Sequence, residues 1–343
     1  MMFISIIIPM RNEEKFVGVC LDSLLRQIEG RDNFEILCVD GRSADGTREI
    51  VRQYAERDNR IRLIENPHKI VSTAMNLGIA QSQGDFIMCV GCHAEYAQDY
   101  IDKCLEVFER TGADQVGGYL TTVPGKDTVV GRAISAATSS RFGVGAGPRV
   151  PGPEREADVA AYGGFRRDVF DRFGLYDERL VRNQDIELSI RIRRGGGRVV
   201  VSPEIQIKYY NRSTFAGLCN QAFLNGLWNP YTLWLVGGGL NLRHFVPLGF
   251  VLSILVLGLA GFVWPPAWLV LAFELLVYCV AGLLESLRSA GKAGTSPFLV
   301  FLAFVQLHLA YGVGSLWGVL TIPFKFGFKH KQQHGQALEY ERE

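Results

Sequence analysis

The sequence has no surplus of either charge: Lys and Arg number 36, Asp and Glu 35, and the formal net charge is +1. Proteins that bind nucleic acid usually carry a basic excess, so nucleic acid is not the expected partner. Cysteines are few and unordered, at Cys20, Cys38, Cys89, Cys92, Cys104, Cys219 and Cys279. An odd set without regular spacing argues against a secreted disulfide framework. The opening residues, MMFISIIIPMRNEE, lack a basic leader and a long apolar core and do not read as a secretory signal. The polar part of the chain is therefore expected in the cytoplasm. No internal repeat is apparent, and 48% hydrophobic against 21% charged residues excludes disorder. Charge is scarcest from Phe245 to Phe324, whereas the first 230 of the 343 residues read as a soluble domain. At roughly 150 residues per domain the length suggests two units.

Phe3 to Pro9 is a short β-branched run ending at proline, which predicts a buried strand. Asn12 is the expected N-cap of the next helix, with Glu13 and Glu14 in its first turn and apolar residues recurring to Ile28. Strands are predicted at Phe34 to Val39, Ile61 to Ile64 and Asp85 to Val90, with helices ending near Arg57 and Gln81 between them. This alternation implies right-handed crossovers and a largely parallel α/β sheet. The stretch Thr121 to Asp158, rich in Gly, Ser and Pro, reads as long loops. A helix from Asp185 to Arg194 and a last strand from Arg198 to Val201 follow.

Three apolar segments come next: Phe245 to Trp264, Ala267 to Leu284 (broken only by Glu274) and Phe298 to Ile322. At 1.5 Å per residue, about 20 such residues cross a bilayer core of about 30 Å. The expected division is a soluble domain at 1–230, an interfacial linker at 231–244, membrane helices within 245–324 and a polar tail at 325–343. Basic residues fall before the first segment (Arg243), between the second and third (Arg288, Lys292) and after the third (Lys325, Lys329, Lys331). Three full crossings cannot put all three clusters on one side. Either the third segment is interfacial or re-entrant, or the tail lies outside despite its charge.

Ligands of such sheets bind beyond the carboxyl ends of strands, so Arg11 to Glu13, Asp40 to Thr47 and Gly91 to Glu95 are the segments to read for chemistry. The segments SIIIPMRNEE, EILCVDGRSADGT, NLGIAQSQGD, GGFRRDVFDRFGLYDERL and NQDIELSIRIRRGGG stand in this order. Together they resemble glycosyltransferase family 2, inverting enzymes of GT-A fold, and most closely its membrane-attached, ExoA-like exopolysaccharide glucosyltransferases. The resemblance covers about residues 3 to 230. It implies a UDP-sugar donor, with UDP-glucose as the leading instance, and an acceptor saccharide linked to a polyprenyl diphosphate. It also implies a multi-pass protein of the inner membrane, in contact with its lipid, with the catalytic domain cytoplasmic. Oligomeric state is left open.

Carried over residue by residue, the resemblance makes Asp40 a contact of the nucleobase, with Pro9, Arg11 and Glu13 lining the same pocket. Asp45 either joins that pocket or caps the following helix. The family's metal-binding acidic motif resembles D-A-H at this place, and here it reads Gly91, Cys92, His93. His93 is thus the expected ligand of Mn2+ or Mg2+, and Glu95 either a second ligand or a helix-dipole partner. Gly91, where the first acid is lost, would still border the nucleotide sugar. Cys89 and Cys92 form C-x-x-C, but with no second pair they read as ordinary buried thiols. Asp185 matches the general base in the family's N-E-D motif, with Glu187 as fallback and Gln184 in place of a glutamate. Gly163 and Gly164 either let backbone approach the acceptor or sugar, or form a turn. Of the family's R-Q-x-x-R-x-G-x-W pattern, Gln221, Gly226 and Trp228 match, while Asn220 and Leu224 replace arginines. Gln221 and Trp228 are expected on the acceptor side. The losses at Gly91, Gln184, Asn220 and Leu224 give a competing reading, a pseudoenzyme or scaffold subunit of a saccharide-assembly complex.

Overall fold

A computed structural model describes residues 2–145 and 147–326. The first half alternates as expected: β1 (Ile4–Met10), α1 (Val17–Leu25), β2 (Phe34–Asp40), α2 (Thr47–Arg57), β3 (Ile61–Glu65), α3 (Val71–Gln81) and β4 (Phe86–Cys89). β5 (Ala94–Tyr96), α4 (Tyr100–Thr111) and β6 (Gln115–Pro124) follow, then α5 (Val129–Thr138), α6 (Arg141–Val144) and β7 (Arg155–Glu156). β8 (Ala161–Arg166), α7 (Asp168–Phe173), α8 (Gln184–Arg194) and β9 (Val199–Asn211) complete the sheet, in the order β3-β2-β1-β4-β8-β6-β9-β5 with β7 beside β9. β3, β2, β1 and β4 are parallel, and the β4–β8, β6–β8, β5–β9 and β7–β9 pairs are antiparallel.

Alternation along β1 sends Ile4, Ile6, Ile8 and Met10 into one core with α1, and Ile7 into a second core with Ala74, Met75 and Ile79 of α3. Burial on both faces explains why β1 and β2 read as unbroken apolar runs. β9 runs to Asn211, ten residues past the expected end at Val201, with a burial pattern that alternates beyond Pro203.

By internal contacts the chain forms two units, one of residues 2–121 and 151–209, the other of 122–150 and 210–326. The chain passes between these units at 121/122, 150/151 and 209/210. β6 and β9 each begin in the first unit and continue into the second. The stretch expected to be loops carries α5, capped by Thr128 Oγ1, which accepts from Gly131 N at 3.0 Å. Ala133, Ile134 and Ala137 of α5 join a core with Ala290, Val300, Ala303 and Phe304. Small residues at close helix contacts look like loop composition in sequence.

The second unit holds α9 (Phe215–Val236), α10 (Val246–Ala260), α11 (Pro266–Ala293) and α12 (Pro297–Phe326). Gly226 of α9 lies where any Cβ would strike the Tyr311 carbonyl of α12. Glu274, the lone charge of the second apolar segment, accepts from Ser253 Oγ of α10 at 2.6 Å. Three helical spans, Leu242–Ala260, Pro266–Ala293 and Pro297–Phe326, are long and apolar enough to cross a membrane. Lys329, Lys331 and the tail from residue 327 lie outside the described residues.

Candidate active site

Three loops meet beyond the carboxyl ends of β1, β2 and β4. Gly41 N donates to Met10 O at 2.8 Å, bringing the first two loops side by side. Asn12 N donates to Ser43 Oγ at 2.8 Å, and Asn12 Oδ1 accepts from Ala44 N at 2.9 Å. Asn12 is therefore no N-cap: it takes a left-handed φ of +57° and clips the two loops together, and the helix starts at Val17. Asparagine tolerates that conformation and bonds locally, which favours it here. Glu13 N donates to Thr47 Oγ1 at 2.7 Å. Its carboxylate Oε2 lies 2.8 Å from His93 Nδ1, joining the third loop to the other two. Pro9 is paired with Val39 at the strand ends, and exposed Arg11 lies with its Cβ and Cδ beside Gly41.

Asp40 departs from expectation. It is fully buried, and its carboxylate accepts from Ser43 N at 3.0 Å and Ser43 Oγ at 2.5 Å, with Arg48 Nε at 3.7 Å. As it stands Asp40 builds the loop and presents no surface to a nucleobase. Asp45 accepts from Thr47 N at 3.1 Å, Thr47 Oγ1 at 2.5 Å and Glu14 N at 3.2 Å. Desolvation acts to raise its pKa, but these bonds outweigh it and hold the carboxyl below its usual value. Asp45 braces the turn just before α2, whose N-cap position is Gly46.

After β4, Cys89 and Cys92 separate to opposite cores of the sheet. Burial pushes the Cys89 thiol up to about 12, and Cys92 is raised first by its hydrogen bond with Cys20 and then by burial. No group of three metal-binding side chains occurs among the described residues. Glu95 is not at a helix start: it sits in β5, where its carboxylate meets Lys208 Nζ at 3.1 Å across the β5–β9 pair. That leaves His93, whose Nδ1 is engaged by Glu13. A carboxylate on one ring nitrogen fixes the tautomer that offers the other to a metal, so the imidazole fits a divalent ion as one ligand. The rest of the shell would come from diphosphate oxygens and water.

Beside Gly91 stands Tyr162, a residue that sequence reasoning missed. A Cβ at position 91 would lie 2.5 Å from its ring Cε1 and 2.8 Å from its hydroxyl oxygen. The lost acid and the tyrosine therefore compete for one space. Tyr162 takes φ +43°, uncommon for any residue but glycine, and Tyr100 OH donates to its carbonyl at 2.6 Å. Its ring stacks on Tyr209 with centroids 6.3 Å apart, and Tyr209 meets the His93 ring edge-on at 5.9 Å. Only its place before Gly163 and Gly164 hinted at this. Those glycines lie within β8 and form no turn: a Cβ on Gly163 would strike Val116 O of β6, and one on Gly164 the Phe86 ring.

Asp185 lies in the first turn of α8, after Asn183 at φ +63°. Tyr176 shares a hydrogen bond with the Cys89 thiol at the end of β4, and the Asp185 charge acts on Tyr176 from α8. Asp185 is exposed at the surface, yet the protein packed around it desolvates the carboxyl and raises it above the usual value despite a bond from Ile186 N at 2.9 Å. Gln184 opens the same helix, half-buried. Glu187 is otherwise committed, buried and paired with Arg191 through two contacts of 2.7 Å, while Arg191 also donates to the Phe173 and Leu175 carbonyls. We expect Glu187→Ala to lower stability by about 3 kcal/mol, since it strands a mostly buried guanidinium. Urea denaturation read by circular dichroism checks this; an unchanged midpoint would contradict it.

Gln221 and Trp228 belong to the second unit. Trp228 is buried there, 5.4 Å from Tyr231 in an edge-on contact and with Lys325 Nζ 4.3 Å above its ring. That is a packing role, not the acceptor contact expected of it. Gln221 is half-buried on α9.

Residues 5–174 match the family described as Glycosyl transferase family 2. Those residues form a domain of that family. A dolichyl N-acetyl-alpha-D-glucosaminyl phosphate 3-beta-D-2,3-diacetamido-2,3-dideoxy-beta-D-glucuronosyltransferase of Methanococcus voltae is 27% identical over 288 residues, covering 81% of this chain and 88% of the relative. The succinoglycan biosynthesis protein ExoA of Rhizobium meliloti is 31% identical over 221 residues, 64% of this chain and 66% of its own length. Among solved structures, the mannosyltransferase PcManGT of Pyrobaculum calidifontis, in complex with GDP-Man and Mn2+, has TM-score 0.59 at 18% identity over 92% of this chain and 87% of that one. S. aureus TarS 1-349 with UDP-GlcNAc has TM-score 0.52 at 16% identity over 92% and 91%. The fold is GT-A, and this glycosyltransferase carries three C-terminal helices able to span a membrane.

Proposed function

We propose that this glycosyltransferase moves a hexose, with inversion, from a UDP-sugar onto a polyprenyl-diphosphate-linked saccharide at the cytoplasmic face of an inner membrane. The observation that carries the reading is the knot of three loops at the strand ends, with His93 oriented by Glu13. The relatives support its parts: a dolichyl-linked acceptor in the name of one, succinoglycan synthesis in another, UDP-GlcNAc or GDP-Man and Mn2+ in the solved neighbours.

In the proposed step, Asp185 takes the proton of the acceptor hydroxyl as its oxygen attacks the anomeric carbon. The bond from that carbon to the diphosphate breaks, and its electron pair leaves with UDP. A divalent ion at His93 would offset the charge on that leaving group. Glu13 holds the imidazole in place, and the Tyr162 ring fills the space that a side chain at position 91 would take. The apolar spans, anchored as a multi-pass region, keep the site within reach of an acceptor whose lipid stays in the bilayer. A scaffold reading draws on one observation, that Tyr162 fills the place of the acid at position 91. Incubating membranes with a panel of labelled nucleotide sugars and extracting the lipids decides between them. Labelled lipid with a UDP-hexose is expected; no labelled lipid with any donor would leave only the scaffold.

A further inference from the structure

The second unit contains a cavity of about 550 Å³ between α5 and the end of α11. Arg132, Ser135, Ala136 and Ser139 reach it at one-face spacing from α5, and Glu285, Ser289 and Lys292 do so from α11. Its lining holds polar atoms that the protein leaves unused. Ser135 is 6% exposed and its hydroxyl has no partner; Thr122 and Arg132 are half-buried, and their Oγ1 and Nε atoms are likewise buried and unpartnered. Buried polar groups without partners cost free energy, so a built cavity lined by three of them is made for a polar occupant. Arg132 is neutralised at its other end by Asp127, 2.6 Å away. Lys292 makes no ion pair among the described residues, and the Glu285 carboxylate accepts only from Ser289 Oγ, at 3.0 Å. The cavity thus offers one unmatched cation and one unmatched anion.

Its place narrows the chemistry. The polar face at 285–292 directly follows the apolar stretch of α11, and Leu283, Leu284 and Leu287 beside it are 46%, 54% and 60% exposed. On the membrane reading above, the cavity lies where the hydrocarbon-facing surface ends, at headgroup depth. We propose that it binds the headgroup of a zwitterionic phospholipid with a primary ammonium, of the phosphatidylethanolamine class. Lys292, Arg132 Nε and the Ser135 and Thr122 hydroxyls donate to the phosphate, and Glu285 accepts from the ammonium. A singly charged anionic headgroup leaves Glu285 unmatched, and a trimethylated ammonium has no N–H to give it.

The test uses the full chain purified in detergent, with thermal unfolding followed as phosphatidylethanolamine, phosphatidylcholine or phosphatidylglycerol is added. Phosphatidylethanolamine is expected to raise the midpoint at concentrations at least about tenfold lower than the other two. Glu285→Gln should abolish that preference, and Lys292→Gln should weaken all three lipids about tenfold. UDP binding, measured in parallel, should be the same in both variants, so a failure of this site and a failure of the catalytic reading are told apart. Equal shifts with all three lipids, or a preference that survives both substitutions, would overturn the proposal. So would a midpoint raised by a soluble oligosaccharide and lost in Glu285→Gln, which would make this a saccharide site.

Discussion

Asp185→Asn is expected to slow sugar transfer by about 10³-fold, the scale of a positioned general base, while UDP affinity stays within about threefold. The amide keeps the shape of the side chain and can still accept from Ile186 N, but it cannot take a proton. The pH profile follows from the raised pKa. A raised value means that the carboxyl holds its proton to higher pH, so the base form is lost earlier on acidification. The acid limb of kcat/KM should therefore lie above that of an ordinary carboxylate. Stability has the opposite sign. The desolvated charge burdens the fold fully above the folded-state pKa, and the burden fades as pH falls toward the unfolded value. The variant should be as stable as the parent or more so at pH 7, with any gain shrinking in acid. Single-turnover transfer, UDP titration and thermal unfolding across pH measure all three. Undiminished transfer would remove Asp185 from the mechanism.

Gly91→Asp should be damaging, although it restores the acid of the D-A-H motif that this segment resembles. The new Cβ would sit 2.5 Å from the Tyr162 ring, which is stacked on Tyr209 and tied at its carbonyl by Tyr100. Overpacking of this kind costs about 1–3 kcal/mol, and a displaced Tyr162 ring would also disturb Tyr209 and His93. Transfer should fall by about 10²-fold, since misplacing groups that position the reacting atoms is costly. Adding Tyr162→Ala should recover most of the stability and part of the activity, so that the pair is far from additive. Denaturation and transfer rates on the two single variants and the double variant give the coupling. Additive losses would mean that the two positions do not share a space.

Much of this was legible in sequence because strand periodicity and helix spacing are local. Ile4–Met10 and Phe34–Asp40 follow from runs buried on both faces, and the apolar helices from their length. What escaped was set by contacts distant in the chain. Asn12 looks like a cap until Ser43 and Ala44 are found beside it. Glu95 looks like a first-turn acid until β9 brings Lys208 across from it. Glu187 looks like a spare base until Arg191, one turn later, takes both its oxygens. Asp40 was sought as a ligand group, and Ser43 folds back over its carboxylate. The alanines, glycines and serines of 129–143 have loop composition, and they form helices because α11 and α12 supply the buried surface they need.

The most direct test of the central claim is calorimetry of UDP binding to the purified chain, with and without Mn2+, beside His93→Ala. The account predicts binding that tightens with Mn2+ in the parent and loses most of that gain in the variant. No heat with UDP or any other pyrimidine diphosphate, with or without the metal, would contradict it.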